Sequence, residues 1–193
     1  MEPRNRGERR ETQHEQQPRP RSVAWWDSAI LAPEAMAEAL LDVLRLLHQR
    51  LEGSSAVWAL TGSLGMVLQG LPLEPHDIDL QTDPVGAYEI ERRLAEWMVR
   101  KVAFSETEMI RSHFGQARVG EVKVEIMGGI QKRLPDGSWE DPVEVAPHRR
   151  ILDVGGMAVP VLTLEYEYGA YLKLGRDARA DQIRRFLEDA GRR

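Results

Sequence analysis

In the run His76-Asp-Ile-Asp-Leu-Gln-Thr82, two aspartates, Asp77 and Asp79, flank one isoleucine inside a short apolar alternation. Side chains alternate along a strand, so Asp77, Asp79 and Gln81 share one face while Ile78 and Leu80 share the other. Folding has no use for two like charges side by side. A hard divalent cation does, because Mg2+ takes oxygen ligands and is usually held by one or two carboxylates together with phosphate oxygens of a substrate. Mn2+ is an alternative ion for the same donors. The chain has no cysteine, and His14, His48, His76, His113 and His148 lack zinc-motif spacing, so any metal must be held mainly by oxygen.

Two further features fit that chemistry. In VKVEIM, residues 122–127, Val122, Val124 and Ile126 form a core face and leave Lys123 and Glu125 on the opposite one. Glu125 could complete a two-metal site or take a proton from a hydroxyl. Upstream, the apolar run AVWAL (56–60) leads into Gly62-Ser63. A glycine there lets a phosphate approach the backbone, and Ser63 at a helix start offers a hydroxyl and free N–H groups to anionic oxygens. Each feature alone has a plainer reading. Ser63 could be only a helix cap, the two aspartates an exposed edge-strand face, and Lys123 with Glu125 a solvated pair. It is their conjunction that points to a site.

The elements that must position these residues are legible in outline. Pro33 to Arg50 carries apolar residues at Met36, Leu40, Val43, Leu44 and Leu47, the spacing of an amphipathic helix. AVWAL reads as a buried strand, Leu64 to Leu68 as a short helix stopped by Gly70 and Pro72, and HDIDLQT as the next strand. A second amphipathic helix is expected over Pro84 to Arg100, then strands at 102–104, 114–119 and 121–127. Gly155-Gly156 fits a two-residue hairpin turn, where both central residues need positive φ. Two helices follow, about 163–175 and 179–190.

On these residues the chain resembles the nucleotidyltransferase superfamily whose fold is shared with DNA polymerase beta. Its signature is Gly-Ser or Gly-Gly opening a helix, Asp-x-Asp on the next strand and a third acid on a later one, matched here by Gly62, Ser63, Asp77, Asp79 and Glu125. VGGMAVPVLTLEYEYGAYLKLGRDARADQIRRFLE, residues 154–188, looks like the C-terminal segment of the branch that includes AbiEii-type toxins, where a lysine and an arginine on one helix precede an aspartate opening the next; Lys173, Arg176 and Asp181 take those places. The resemblance spans roughly residues 33–190. It implies an α/β (α+β) nucleotidyltransferase fold, a mixed twisted sheet flanked by helices with a small C-terminal helical segment. It implies Mg2+-dependent transfer of a nucleoside monophosphate from a nucleoside triphosphate to a hydroxyl, with release of pyrophosphate. Asp77, Asp79 and Glu125 would be the catalytic and metal-binding acids, and Gly62, Ser63, Lys173 and Arg176 the nucleotide contacts. The acceptor stays open among a small molecule, a tRNA end and a protein side chain. The rival is a catalytically weak nucleotide-binding or toxin–antitoxin protein with an antitoxin partner. Two departures stand out: the third acid is Glu rather than the commoner Asp, and His76 is the only basic candidate near the motif.

At 193 residues, 42% hydrophobic and 30% charged, the chain is expected to form one full-sized domain without a membrane span. The expected divisions are an arm over 1–22, a core over 23–162 and a C-terminal helical segment of the same domain over 163–193. MEPRNRGERRETQHEQQPRPR lacks the apolar core of a secretory signal, so the cytoplasm is the expected location. Residues 1–24 carry six arginines and four glutamates, leaving 20 basic against 27 acidic residues in the acidic remainder. The arm has too little apolar content to fold. Brief trypsin treatment is therefore expected to remove it and leave a body starting near Val23, as read by intact mass; protection of the arm in the ligand-free protein would contradict that expectation.

Overall fold

The computed structural model describes residues 34–192, of which residues 34–36 are described in the backbone alone. The expected arm over 1–22 lies outside that range. Helix α1 (Glu34–Leu51) turns Leu40, Val43, Leu44, Leu47 and Leu51 inward, all nearly or fully buried, as its spacing predicts. Strand β1 (Ala59–Thr61) runs straight into the short helix α2 (Gly62–Val67), and β2 (Asp77–Thr82) follows. Helix α3 (Pro84–Arg93) is capped by Asp83, whose carboxylate accepts the Gly86 N–H at 2.6 Å, with proline in its first turn. Next come β3 (Met98–Glu106), β4 (Ile110–Val119) and β5 (Val122–Lys132). The chain ends with the hairpin β6 (Arg149–Val154) and β7 (Met157–Leu162), then α4 (Leu164–Lys173) and α5 (Asp177–Ala190).

The seven strands form one mixed sheet in the order β3-β4-β5-β2-β1-β7-β6, with β2 parallel to β5 and antiparallel to β1. This is the expected mixed α/β architecture, a mixed sheet flanked by helices with a C-terminal helical segment. Helices α1 and α3 cover one face of the sheet, where Leu60, Ile78, Leu80, Val124, Ile126, Val159 and Val161 join the main hydrophobic cluster. The opposite face is left open at its centre. At its β1–β7 side, α4 and α5 pack on α2 through a second, smaller cluster of Met66, Val67, Leu71, Leu164 and Ile183. Among the described residues no helix is long and apolar enough to cross a membrane.

Two expectations about the elements need correction. The helix expected from Pro84 to Arg100 ends at Arg93, because Met98 and Arg100 pair with Ala117 and Gln116 of β4 and extend β3 backward. Cross-strand pairing overrides the helical spacing there. The second correction concerns Lys173 and Arg176, which do not share a helix: α4 stops at Lys173, Gly175 adopts a positive φ of 66°, and Arg176 is the N-cap of α5. The Gly155-Gly156 turn is as expected, with both φ values positive at 60° and 85°.

A bulge in β5 matters for the site. Pairing with β4 shifts between Arg111–Gln131 and His113–Gly128, and Gly129 has φ 59°. Gly128 lies so close under the start of α3 that a Cβ would stand 2.6 Å from the Ala87 Cβ and 2.8 Å from the Asp83 carbonyl. Gly128→Ala is therefore expected to cost about 1–3 kcal/mol, the range for overpacking, read as a lower urea midpoint with an unchanged slope.

Candidate functional site

The register of the sheet assembles a polar row across its open face. Asp79 of β2 is paired with Thr61 of β1 on one side and Glu125 of β5 on the other, and Glu125 is in turn paired with Gln116 of β4. One step along, Asp77 is paired with Lys123. Since laterally paired residues point the same way, the aspartates and Glu125 meet on one face, as the alternation in each strand requires. Thr61, Asp79 and Glu125 of this row floor a cavity of about 400 Å³ whose walls include Phe114, Met127, Tyr166, Glu167, Tyr171 and Arg176; Asp77, Lys123 and Gln116 lie outside its lining.

Gly62 closes the row from above. Its φ of 68° suits glycine, and a Cβ there would collide with the Asp79 carboxylate. The close approach that glycine permits is thus made by a protein carboxylate. The cap of α2 is Thr61 rather than Ser63, which lies in the first turn, half-buried and outside the cavity lining.

Burial, reinforced by the like charges of Asp77 and Glu125, raises the Asp79 pKa to about 7. Lys123 opposes that shift from beside it: its Nζ lies 2.9 Å from both Asp77 Oδ2 and Glu125 Oε1, and the two carboxylates raise its own pKa. Among the described residues no group of three or more His, Asp or Glu side chains is drawn together as a preformed metal cluster. The donor chemistry nevertheless fits a hard dication. The donors are all oxygens on one face, and the buried member, Asp79, forms no salt bridge among the described residues.

Several site-lining residues escaped the sequence reading. Glu167 of α4 is 3% exposed, accepts the Thr61 hydroxyl at 2.6 Å and the Gly62 N–H at 3.1 Å, and is pushed to about 7 by burial, which those two donors only partly offset. Its signal was an acid three residues after Leu164 and four before Tyr171, inside the apolar stripe of a helix. Lys132 is 3% exposed and reaches Glu140 Oε1 at 2.9 Å and the Tyr166 hydroxyl at 3.4 Å. It enters the cavity only because the Gly128-Gly129 bulge reverses the alternation of β5, so that Ile130 and Lys132 join Met127 on the open face.

The C-terminal candidates separate. Arg176 lines the cavity, with its guanidinium 5.8 Å from the centre of the Tyr171 ring. Lys173 is half-exposed, lies outside the lining and holds Glu140 Oε2 at 2.7 Å. Burial alone would raise the Glu140 pKa, but Lys173 and Lys132 together pull it below the usual carboxylate range. Asp181 is on the surface of α5 beside Arg184, 3.2 Å away.

The sequence profile of the aminoglycoside-2''-adenylyltransferase family matches residues 42–186. Among solved structures, a Thermotoga maritima protein regarded as a nucleotidyltransferase is 52% identical, with alignment over 80% of this chain and 96% of its own and a TM-score of 0.70. ANT(2'')-Ia, solved in complex with adenylyl-2''-tobramycin, is 12% identical over 76% of this chain and 86% of its own; its TM-score of 0.52 is a likeness of fold. No curated protein matches the chain.

The Asp79 shift sets a pH dependence. A carboxyl with a folded pKa of about 7 and an ordinary value of 3.8 binds protons more tightly folded than unfolded. Its contribution to stability is complete below its unfolded pKa and is lost as the pH rises through 7. In chelator, Asp79→Asn is expected to remove that loss and to be more stable than the parent at about pH 8, by on the order of a few kcal/mol, with the gap closing toward about pH 4. Urea titrations across that range measure it, and a variant less stable at the alkaline end would make Asp79 a structural group.

Proposed function

The chain belongs to the aminoglycoside-2''-adenylyltransferase family, and from that membership we propose that it transfers a nucleoside monophosphate, from ATP in the first instance, to a hydroxyl of a small-molecule acceptor with release of pyrophosphate. The observation that carries the reading is the pair Asp79 and Glu125 on the floor of a cavity large enough for a small ligand, with Asp77 on the same strand face just outside its lining. A small acceptor is supported by two things: the cavity's size, and the tobramycin adduct bound by ANT(2'')-Ia. A tRNA or protein acceptor would need a wide basic or apolar surface around the cavity mouth.

In this reading Asp77, Asp79 and Glu125 hold Mg2+, with Mn2+ as the alternative ion. When bound, the metal supplies charge neutralisation for the triphosphate and for the pyrophosphate leaving group. The chain's own residues do the rest. Glu125, beside Asp79 and flanking the cavity, takes the proton of the acceptor hydroxyl as that oxygen bonds to the α-phosphorus. Arg176 at the rim binds phosphate oxygens through its fork of N–H donors. Ser63, which lies outside the cavity lining, is given no phosphate contact in this reading. Glu167 already occupies the Gly62 N–H, so the contribution of Gly62 is its lack of a side chain. Lys173 acts one step removed, by fixing Glu140 and with it Lys132 at the cavity wall.

A second reading, a catalytically weak nucleotide-binding or toxin–antitoxin protein with an antitoxin partner, is favoured by one observation: Lys123 already neutralises two of the three acids. Pyrophosphate release with Mg2+ and ATP, measured against small hydroxylated antibiotics, tRNA and a protein extract, separates the two. Acceptor-dependent release with a small molecule is expected, and Asp77→Asn and Asp79→Asn should each abolish it. Arg176→Ala is expected to raise the KM for ATP about tenfold, roughly 1.4 kcal/mol, while Lys173→Ala changes it by less than about threefold. ATP binding without release on any acceptor would favour the weak-catalyst reading.

A further inference from the structure

An ordinary structural ion pair needs one carboxylate. The ammonium of Lys123 is instead shared between two, from two different strands, at equal distances of 2.9 Å. Both belong to the set of three acids assigned above to the metal, and the inference drawn from this rests on that assignment. Register places Lys123 there: it is the β5 partner of Asp77, and alternation turns it to the same face as Glu125, two residues on.

Lys123 takes one oxygen of each carboxylate, so a dication held between Asp77 and Glu125 would stand within a few ångströms of the ammonium already there. An ammonium sits 2.9 Å from each carboxylate oxygen, whereas Mg2+ binds oxygen at roughly 2.1 Å and needs near-octahedral donors. A dication and an ammonium at such separations also repel strongly at the low effective dielectric of a partly buried site. Lys123 has a way out: its side chain is 36% exposed, and a four-carbon stem lets the head swing without moving the strand. Asp79 forms no salt bridge among the described residues, so an arriving dication would find one carboxylate uncommitted and two already sharing an ammonium that repels it.

We propose that Lys123 is a resident counter-cation that a divalent metal ion must displace from Asp77 and Glu125, so that metal entry is coupled to the arrival of a nucleoside triphosphate. Without nucleotide, the displaced ammonium gains only water, and the metal binds weakly. With nucleotide, the freed head, carried on the same strand face as Glu125 from a position two residues before it, about 6.6 Å back by strand rise and beside the cavity rather than in its lining, meets phosphate oxygens carried in with the metal. Lys123 in this role positions the acids and gates the ion; it takes no part in bond making.

The test is calorimetric titration of the full-length protein with Mn2+, alone and in the presence of a non-hydrolysable ATP analogue. Lys123→Met is expected to bind Mn2+ alone about tenfold more tightly than wild type. It should also lose most of the gain in Mn2+ affinity that the analogue confers on wild type. Its melting temperature in chelator should fall, since Asp77 and Glu125 then repel each other, and should be restored by Mn2+. If Lys123→Met does not fold in chelator, Lys123→Gln carries the same measurement, its amide able to bond both carboxylates without charge. Equal or weaker Mn2+ affinity in the variant, with wild type binding normally, overturns the inference and leaves the metal-site reading standing. Absence of Mn2+ binding to either protein overturns both.

Discussion

Ile78 and Leu80 are sealed in the hydrophobic core at 0% exposure, and that burial fixes what lies on the other side of β2. A slip of one residue would bury the aspartates and expose the aliphatic side chains. The same holds for Val124 and Ile126 of β5, also fully buried. Each of these four side chains gains roughly 1.5–3 kcal/mol from burial, enough together to outweigh the repulsion among three carboxylates forced onto the opposite face. The site is crowded with negative charge because the core beneath it will not permit another register. Sheet pairing then sets the partners, so that Asp79 meets Glu125 and Asp77 meets Lys123.

The crowding is contained by neighbours rather than relieved. Gly62 lets the Asp79 carboxylate press against the turn that starts α2, and Glu167 holds that turn from the far side through the Thr61 hydroxyl and the Gly62 N–H. Glu167 belongs to α4, which packs on α2 through a small apolar cluster of its own. The tip of α4 is tied to the β5 side by Lys173, Glu140 and Lys132. Helix α4 thus reaches the cavity at two points, one buried at the Gly62 turn and one at the surface, and a displacement of α4 would shift that turn and the cavity wall together.

Family membership and cavity chemistry meet at this row. The profile match covers residues 42–186, which takes in every strand, the acid row and most of α5. The 52% identical Thermotoga maritima protein shares the fold over nearly all of its own length. The walls around this row are Phe114 and Met127 from the sheet, Tyr166 and Tyr171 from α4, and Lys132 delivered by the bulge.

The sequence by itself determined the local pattern: the helix spacing of α1, the alternation that puts Asp77 with Asp79 and Lys123 with Glu125, the Gly-Gly hairpin and the glycine before Ser63. Those are short-range facts, set by a period of two or 3.6 residues and by the φ that glycine allows. Tertiary structure alone decided which residues face one another. Pairing with β4 ended α3 at Arg93, where the helical period ran on to Arg100. The bulge at Gly128-Gly129 reversed the phase of β5 and brought Lys132 inside. The break near Gly175 was expected, but the partners it gives Lys173 and Arg176, Glu140 for the one and the cavity for the other, were not. Glu167 reached the Gly62 turn from 105 residues away. None of these could be read from spacing, because each depends on a partner strand or helix distant in the chain, and it is the packing free energy of the whole sheet that selects the partner.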